Sequence, residues 1–357
     1  MEKTVHISSF ERSGPIILLF LICAIGIGMV CAGGATKAQA QSLQSLTGQF
    51  EKYRKARNYK AAEQVATRMV SIAAKRYGKN HFNYGLSVNY LAIAYAEQNR
   101  MADAIPHYET AVRLLGKKLG ASHGAVIDTS ENLVRAYSSV GSYDKALPLA
   151  KKVFDARVKT LDRSSVPYAD KLYDFATLQK SGGEFKEAAS NFEQVALVYE
   201  EKLDAQKPGL ANTLHNLGSV YGALSRYEDA IATLERSLSA YENSLGAKHP
   251  FYAYTLEQIA GIYKAQGQYE PAIENYNASL KILAEALGTN HVSYANTLNN
   301  LANVHKARGE FGKAIPMYKK TLDILDSNQM SEHPNYGNTL NNLGVIYNDT
   351  GRHEEAL

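Results

Sequence analysis

Large apolar, small and polar positions recur along this chain in one fixed order, and the order repeats every 42 residues. The clearest marker is an alanine at each step: Ala62, Ala104, Ala146, Ala188, Ala230, Ala272, Ala314 and Ala356. Three residues before it stands a large side chain such as Tyr59, Phe185 or Phe311. Five before it is often glycine (Gly141, Gly183, Gly267, Gly309, Gly351), and nine before it is usually tyrosine (Tyr53, Tyr95, Tyr137, Tyr221, Tyr263, Tyr347). Self-similarity at such a period marks a solenoid, in which each repeat buries its apolar face on its neighbours.

Within one repeat the apolar positions follow a helical period twice. Tyr294, Leu298, Leu301, Ala302 and His305 share one face, as do Tyr269, Ala272, Ile273, Tyr276, Leu280, Leu283 and Leu287, which predicts a helix A, a tight turn and a helix B. Small residues mark the close approach of the two helices: the repeating alanine in helix B, and Ala92, Ala176, Gly218, Ala260, Ala302 or Gly344 in helix A. Leu91, Leu133, Leu217, Leu301 and Leu343 fill the space beside them. Pro106, Pro148 and Pro316 fall early in helix B, where they are expected to bend the helix rather than end it.

This order resembles the tetratricopeptide repeat (TPR), whose helix A carries Leu-[Ala/Gly]-x-x-Tyr and whose helix B opens on Gly-x-Tyr-x-x-Ala. The 42-residue variant of kinesin light chains and bacterial repeat proteins is matched by Leu245-Gly246-Ala247-Lys248-His249-Pro250. It is matched again by Thr297-Leu298-Asn299-Asn300-Leu301-Ala302 and Thr339-Leu340-Asn341-Asn342-Leu343-Gly344. The resemblance implies an all-α fold, a right-handed superhelical solenoid of antiparallel helix pairs with helix A inside and helix B outside. About eight repeats would fill residues 41–357, the last truncated. The fourth departs most, with Phe175, Gln179 and Lys207 in place of the usual Leu, Tyr and His, and is expected to be the loosest joint.

Composition alters this picture mainly at the ends. Net charge is +4 over 357 residues with both signs interspersed, which argues against nucleic acid as a partner. Tryptophan is absent, and most of the 24 tyrosines hold repeat positions, so they read as core. Residues 15–32 are continuously apolar, and Ala38-Gln39-Ala40 follows as a signal-peptidase site. Residues 1–40 are therefore expected to be a signal peptide, leaving a mature chain from Gln41; the alternative is an N-terminal membrane anchor, the one membrane contact foreseen. Cys23 and Cys31 lie in this segment, so the mature chain would hold no disulfide, thiolate nucleophile or zinc–sulfur site. Export without disulfides suggests a bacterial periplasm or secretion, or an inner-membrane-anchored protein facing the periplasm. The sequence stops at Ala356-Leu357 as the eighth helix B begins, so truncation and self-association through an uncapped end are expected. A longer protein with a catalytic, for example caspase-like peptidase, domain beyond residue 357 is the alternative.

Candidate chemistry is sparse. His81, His123, His249, His291 and His333 recur at multiples of the repeat, so they cannot converge on one metal ion. Each is expected to bond backbone at the loop that leads into the next helix A. No phosphate loop, nucleophile elbow or supported carboxylate pair is present, so neither enzyme activity nor a cofactor is expected. The resemblance implies that inward positions of helix A carry partner contacts. These are Asn212, His215, Asn216 and Ser219 in repeat five; Asn296, Asn299, Asn300 and Asn303 in repeat seven; and Asn338, Asn341 and Asn342 in repeat eight, with Lys264 and Lys306 on the same face. Asparagine offers two donors and an acceptor on a short arm, which suits the backbone of an extended peptide. Asn300 and Asn342 have a competing role as bridges between helices. The expected function is a non-enzymatic protein-interaction scaffold, and alanine at Asn299, Asn303 and Asn341 is expected to leave stability unchanged. The lysines of a carboxylate-clamp TPR are missing, so a chaperone C-terminus is not the expected ligand.

Overall fold

The computed structural model describes residues 35–203, 207–332 and 334–356, with side chains from residue 43 onward. The expected signal core, Cys23, Cys31, His333 and Leu357 lie outside the described residues. Every regular element within them is an α-helix, and the helices alternate as A and B of successive repeats. Repeats one to three are α1 (Ala35–Lys55) with α2 (Tyr59–Tyr77), α3 (Phe82–Glu97) with α4 (Met101–Leu119), and α5 (Gly124–Ser139) with α6 (Tyr143–Val158). Repeat four is α7 (Val166–Ser181) with α8 (Phe185–Lys202). Repeats five and six are α9 (Gly209–Ala223) with α10 (Tyr227–Ser244), and α11 (Pro250–Ala265) with α12 (Tyr269–Ala286). Repeats seven and eight are α13 (Val292–Ala307) with α14 (Phe311–Ser327), and α15 (Pro334–Asp349) with α16 (His353–Ala356). The first helix runs through Ala38-Gln39-Ala40. Pro106, Pro148 and Pro316 lie inside α4, α6 and α14, which continue past them.

The chain divides into two compact bodies, one of Met1–Arg163 and Asp174–Glu184, the other of Ser164–Tyr173 and Phe185–Leu357. The division falls in repeat four, whose sequence departs most from the pattern. Inside each body the packing is that of a solenoid. In the first, consecutive helices pack from α1 to α6; in the second they pack from α8 to α16, and α9, α11, α13 and α15 also touch in series.

The small residues explain why the pairs close. The alanines at 62, 104, 146, 188, 230, 272 and 314 are fully buried, as are Ala92, Ala176, Ala260 and Ala302 opposite them. At Gly218 a Cβ would stand 2.5 Å from Leu234 Cγ and 3.2 Å from the Ala230 carbonyl, so even a methyl here would have to push Leu234 or the helix pair aside. The turn between A and B is left-handed in all eight repeats. Its φ is positive at Gly141, Gly183, Gly267, Gly309 and Gly351, and equally at Arg57, Asn99 and Ser225, which occupy the same position without glycine's freedom.

The loop histidines do what the spacing suggests. His81, His123, His249 and His291 cap α3, α5, α11 and α13, each Nδ1 accepting the backbone N–H two residues on, at 3.1 to 3.2 Å. Among the described residues no group of acidic, histidine or cysteine side chains is placed to hold a metal.

Candidate functional site

In repeats three and five to eight, helix A buries one threonine fully at the same register position: Thr129, Thr213, Thr255, Thr297 and Thr339. Each hydroxyl bonds the carbonyl one turn back in its own helix. Three of them also meet a polar side chain from the preceding helix A, 40 residues earlier. His215 Nδ1 lies 2.9 Å from Thr255 Oγ1, and the Thr339 hydroxyl donates to Asn299 Oδ1 at 3.0 Å. Thr297 donates to Glu257 Oε1, as does Ser279 of α12 at 3.0 Å. His215, Glu257 and Asn299 thus form one row, one residue per repeat, that ties each helix A to the next.

That placement changes the role of several predicted contacts. His215, Asn216 and Asn299 are buried, and Asn216 Nδ2 donates to the Tyr173 hydroxyl at 2.8 Å. Asn212 and Asn303 are half-buried and accept the hydroxyls of Tyr241 and Tyr318, both at 2.6 Å. Asn296 accepts from Asn335 at 2.7 Å. Lys306, Asn342 and Asn303 form a chain, with Lys306 Nζ donating to Asn342 Oδ1 at 2.9 Å and Asn342 Nδ2 to Asn303 Oδ1 at 3.0 Å. These residues brace neighbouring helices in repeats five to eight, so the expectation that alanine at Asn299 and Asn303 would leave stability unchanged does not survive. Removing one partner of a buried hydrogen bond strands the other, at about 1–3 kcal/mol. Asn300 and Lys264 are half-buried, while Asn338 and Asn341 are exposed. Among the described residues Asn300, Asn338 and Asn341 make no side-chain hydrogen bond.

Glu257 is the residue the sequence reading missed. Burial pushes its carboxyl up to about 7, although the Thr297 and Ser279 hydroxyls favour the charged form. The signal was the register itself, since Glu257 lies midway between His215 and Asn299. A second omission is the arginine four residues before the repeating alanine. Arg100, Arg226 and Arg352 stack over Tyr95, Tyr221 and Tyr347 at 4.4, 4.1 and 4.5 Å, closing the turn with a cation–π contact.

Comparison with known proteins agrees with the geometry. A tetratricopeptide-repeat family profile matches residues 86–159, 168–243, 209–285, 251–327 and 293–357. Over 148 residues the chain is 26% identical to an RxLR effector protein, SFI4, of Phytophthora infestans strain T30-4, covering 42% of this chain and 44% of that protein. Over 146 residues it is 25% identical to the secreted RxLR effector protein RXLR-C07 of Plasmopara halstedii, covering 41% and 45%. The chain therefore spans about half the length of the curated relatives it matches. A crystal structure of a tetratricopeptide repeat protein from Parabacteroides merdae ATCC 43184 superposes with a TM-score of 0.54 at 17% identity, over 80% of this chain and 93% of that one. It shares the fold.

Proposed function

Because this chain belongs to the tetratricopeptide-repeat family, we propose that it is a non-enzymatic scaffold that binds an extended peptide or protein segment along the helix-A face of repeats seven and eight. The observation that carries this reading is the contrast between two sets of asparagines. Asn299, Asn303 and Asn342 are engaged with neighbouring helices, whereas Asn300, Asn338 and Asn341 leave their amides unengaged among the described residues. Fixed amides beside free ones suit a surface that is rigid and still able to bond a peptide backbone.

The test is a peptide selected against the purified chain from a random library, its affinity then measured for two variants. Alanine at Asn300, Asn338 and Asn341 removes hydrogen bonds worth roughly 0.5–1.5 kcal/mol each, so Kd should rise about tenfold or more with an unchanged melt. Equal affinity for parent and variant rejects this face. Alanine at Asn299 and Asn303 should instead lower the melting temperature.

The similarity to a secreted effector and the apolar segment at 15–32 support export of the chain. A mature N-terminus at Gln41 in the exported fraction is the expected outcome; retention of residues 1–40 in membranes would establish the anchor.

A further inference from the structure

The modest net charge of +4 conceals a separation along the chain. Residues 35–163 hold 21 Lys and Arg against 10 Asp and Glu, whereas residues 185–357 hold 14 against 20. Both signs occur in each body, but in opposite proportions.

The separation is sharpest at one register position, near the C-terminal end of helix B. Lys75, Lys117 and Lys159 occupy it in the first three repeats, one repeat apart, and all are exposed. In the second body the same position is Glu201, Asn243, Glu285 and the uncharged Ser327, with Glu242 beside the asparagine, and these three carboxylates are exposed too. The lysines in the last turns of α2 and α4 suit the helix dipole. Carboxylates in the last turns of α10 and α12 oppose it, and neither turn contains a basic residue. Folding alone gives no reason for acids there. Among the described residues Lys75, Lys117, Lys159 and Glu242 make no ion pair. Glu201 and Glu285 each contact one exposed lysine, Lys202 at 2.7 Å and Lys248 at 3.3 Å, contacts that exchange readily in water.

We propose that this helix-B edge is an interface between copies of the chain. The lysine row of one copy's first body meets the carboxylate row of another copy's second body. Both rows advance by the same repeat, so opposite charges can pair in register, and the contact is heterologous because two different surfaces meet. Such a contact leaves one row free at each end and extends head to tail.

Sedimentation velocity on the full chain tests this. At low salt the weight-average sedimentation coefficient should rise with concentration. At ~1 M salt, where the Debye length is about 3 Å, it should fall to the monomer value. A variant with Lys75→Glu, Lys117→Glu and Lys159→Glu, and another with Glu201→Lys, Glu242→Lys and Glu285→Lys, should each associate at least about tenfold more weakly. An equimolar mixture of the two should associate again, because each supplies the sign the other lacks. A parent that stays monomeric at every concentration overturns the proposal, whether or not it binds phosphatidylserine vesicles. So does association that ignores salt, which would point to an apolar end-to-end contact, or a mixture that fails to restore binding.

Discussion

Glu257 sets the chemistry of its row. A carboxyl held near 7 in the folded chain and near 4.3 when unfolded binds more protons in the fold between those values. The contribution of Glu257 to stability therefore falls as pH rises from about 4.5 to 7 and stays low above it. Glu257→Gln keeps an acceptor for Ser279 and Thr297 without the charge. It should flatten that slope and stabilise the chain at pH 8 by up to roughly 3 kcal/mol, with no difference at pH 4; parallel melting curves for parent and variant at both pH values would refute it. This residue also shows where sequence reading ran short. The 42-residue register places Glu257 with His215 and Asn299, but whether that row faces the groove or the next helix depends on helix rotation, and the period does not specify rotation to within one residue. The asparagines read from the family pattern as peptide contacts proved to be divided, some bracing helices and some free, for the same reason.

At the scale of the element the sequence was far more legible. Ala230 and Gly218 could be assigned to the A–B contact from spacing alone, because close packing leaves one solution for small against large. Gly218→Ala places a methyl against Leu234 and the Ala230 carbonyl, and should cost about 1–3 kcal/mol in chemical denaturation; an unchanged midpoint would mean that the pair can spread. The histidine caps belong here too. Burial lowers the pKa of His249, and its Nδ1 must be unprotonated to accept from Phe251. This site then binds fewer protons in the fold than in the unfolded chain, so its contribution to stability falls as pH drops through about 6.5. His249→Asn retains a capping acceptor and should remove that dependence; a variant that loses stability equally between pH 7 and 5 would show that the cap is not the titrating group.

Over the whole molecule stability is distributed rather than centred. Leu133 lies in a cluster of the first body that includes Leu91 and Ala136, and Leu301 in one of the second that includes Ala260 and Tyr276. Each repeat is stabilised chiefly by its neighbours, so Leu133→Ala and Leu301→Ala should each cost about 2–5 kcal/mol locally. Hydrogen exchange should accelerate around residues 90–150 in the first variant and around 260–320 in the second. Uniform acceleration along the chain in either would indicate a single cooperative core. The repeat pattern forecast this packing of neighbour on neighbour and singled out repeat four as the irregular one. It did not show that the division would run through α7 itself, with Ser164–Tyr173 in one body and Asp174–Glu184 in the other, since that depends on contacts summed over many side chains.

The left-handed turns have a practical consequence. At Gly141, Gly183, Gly267, Gly309 and Gly351 nothing lies within 4 Å of where a Cβ would be built, so glycine is selected there by dihedral angle and not by crowding. Arg57, Asn99 and Ser225 already show that a side chain can be carried at this point. The array thus offers a series of equivalent, open attachment points, one rung per repeat. A single cysteine moved from rung to rung and labelled would make each repeat separately visible, since residues 41–357 hold no cysteine of their own.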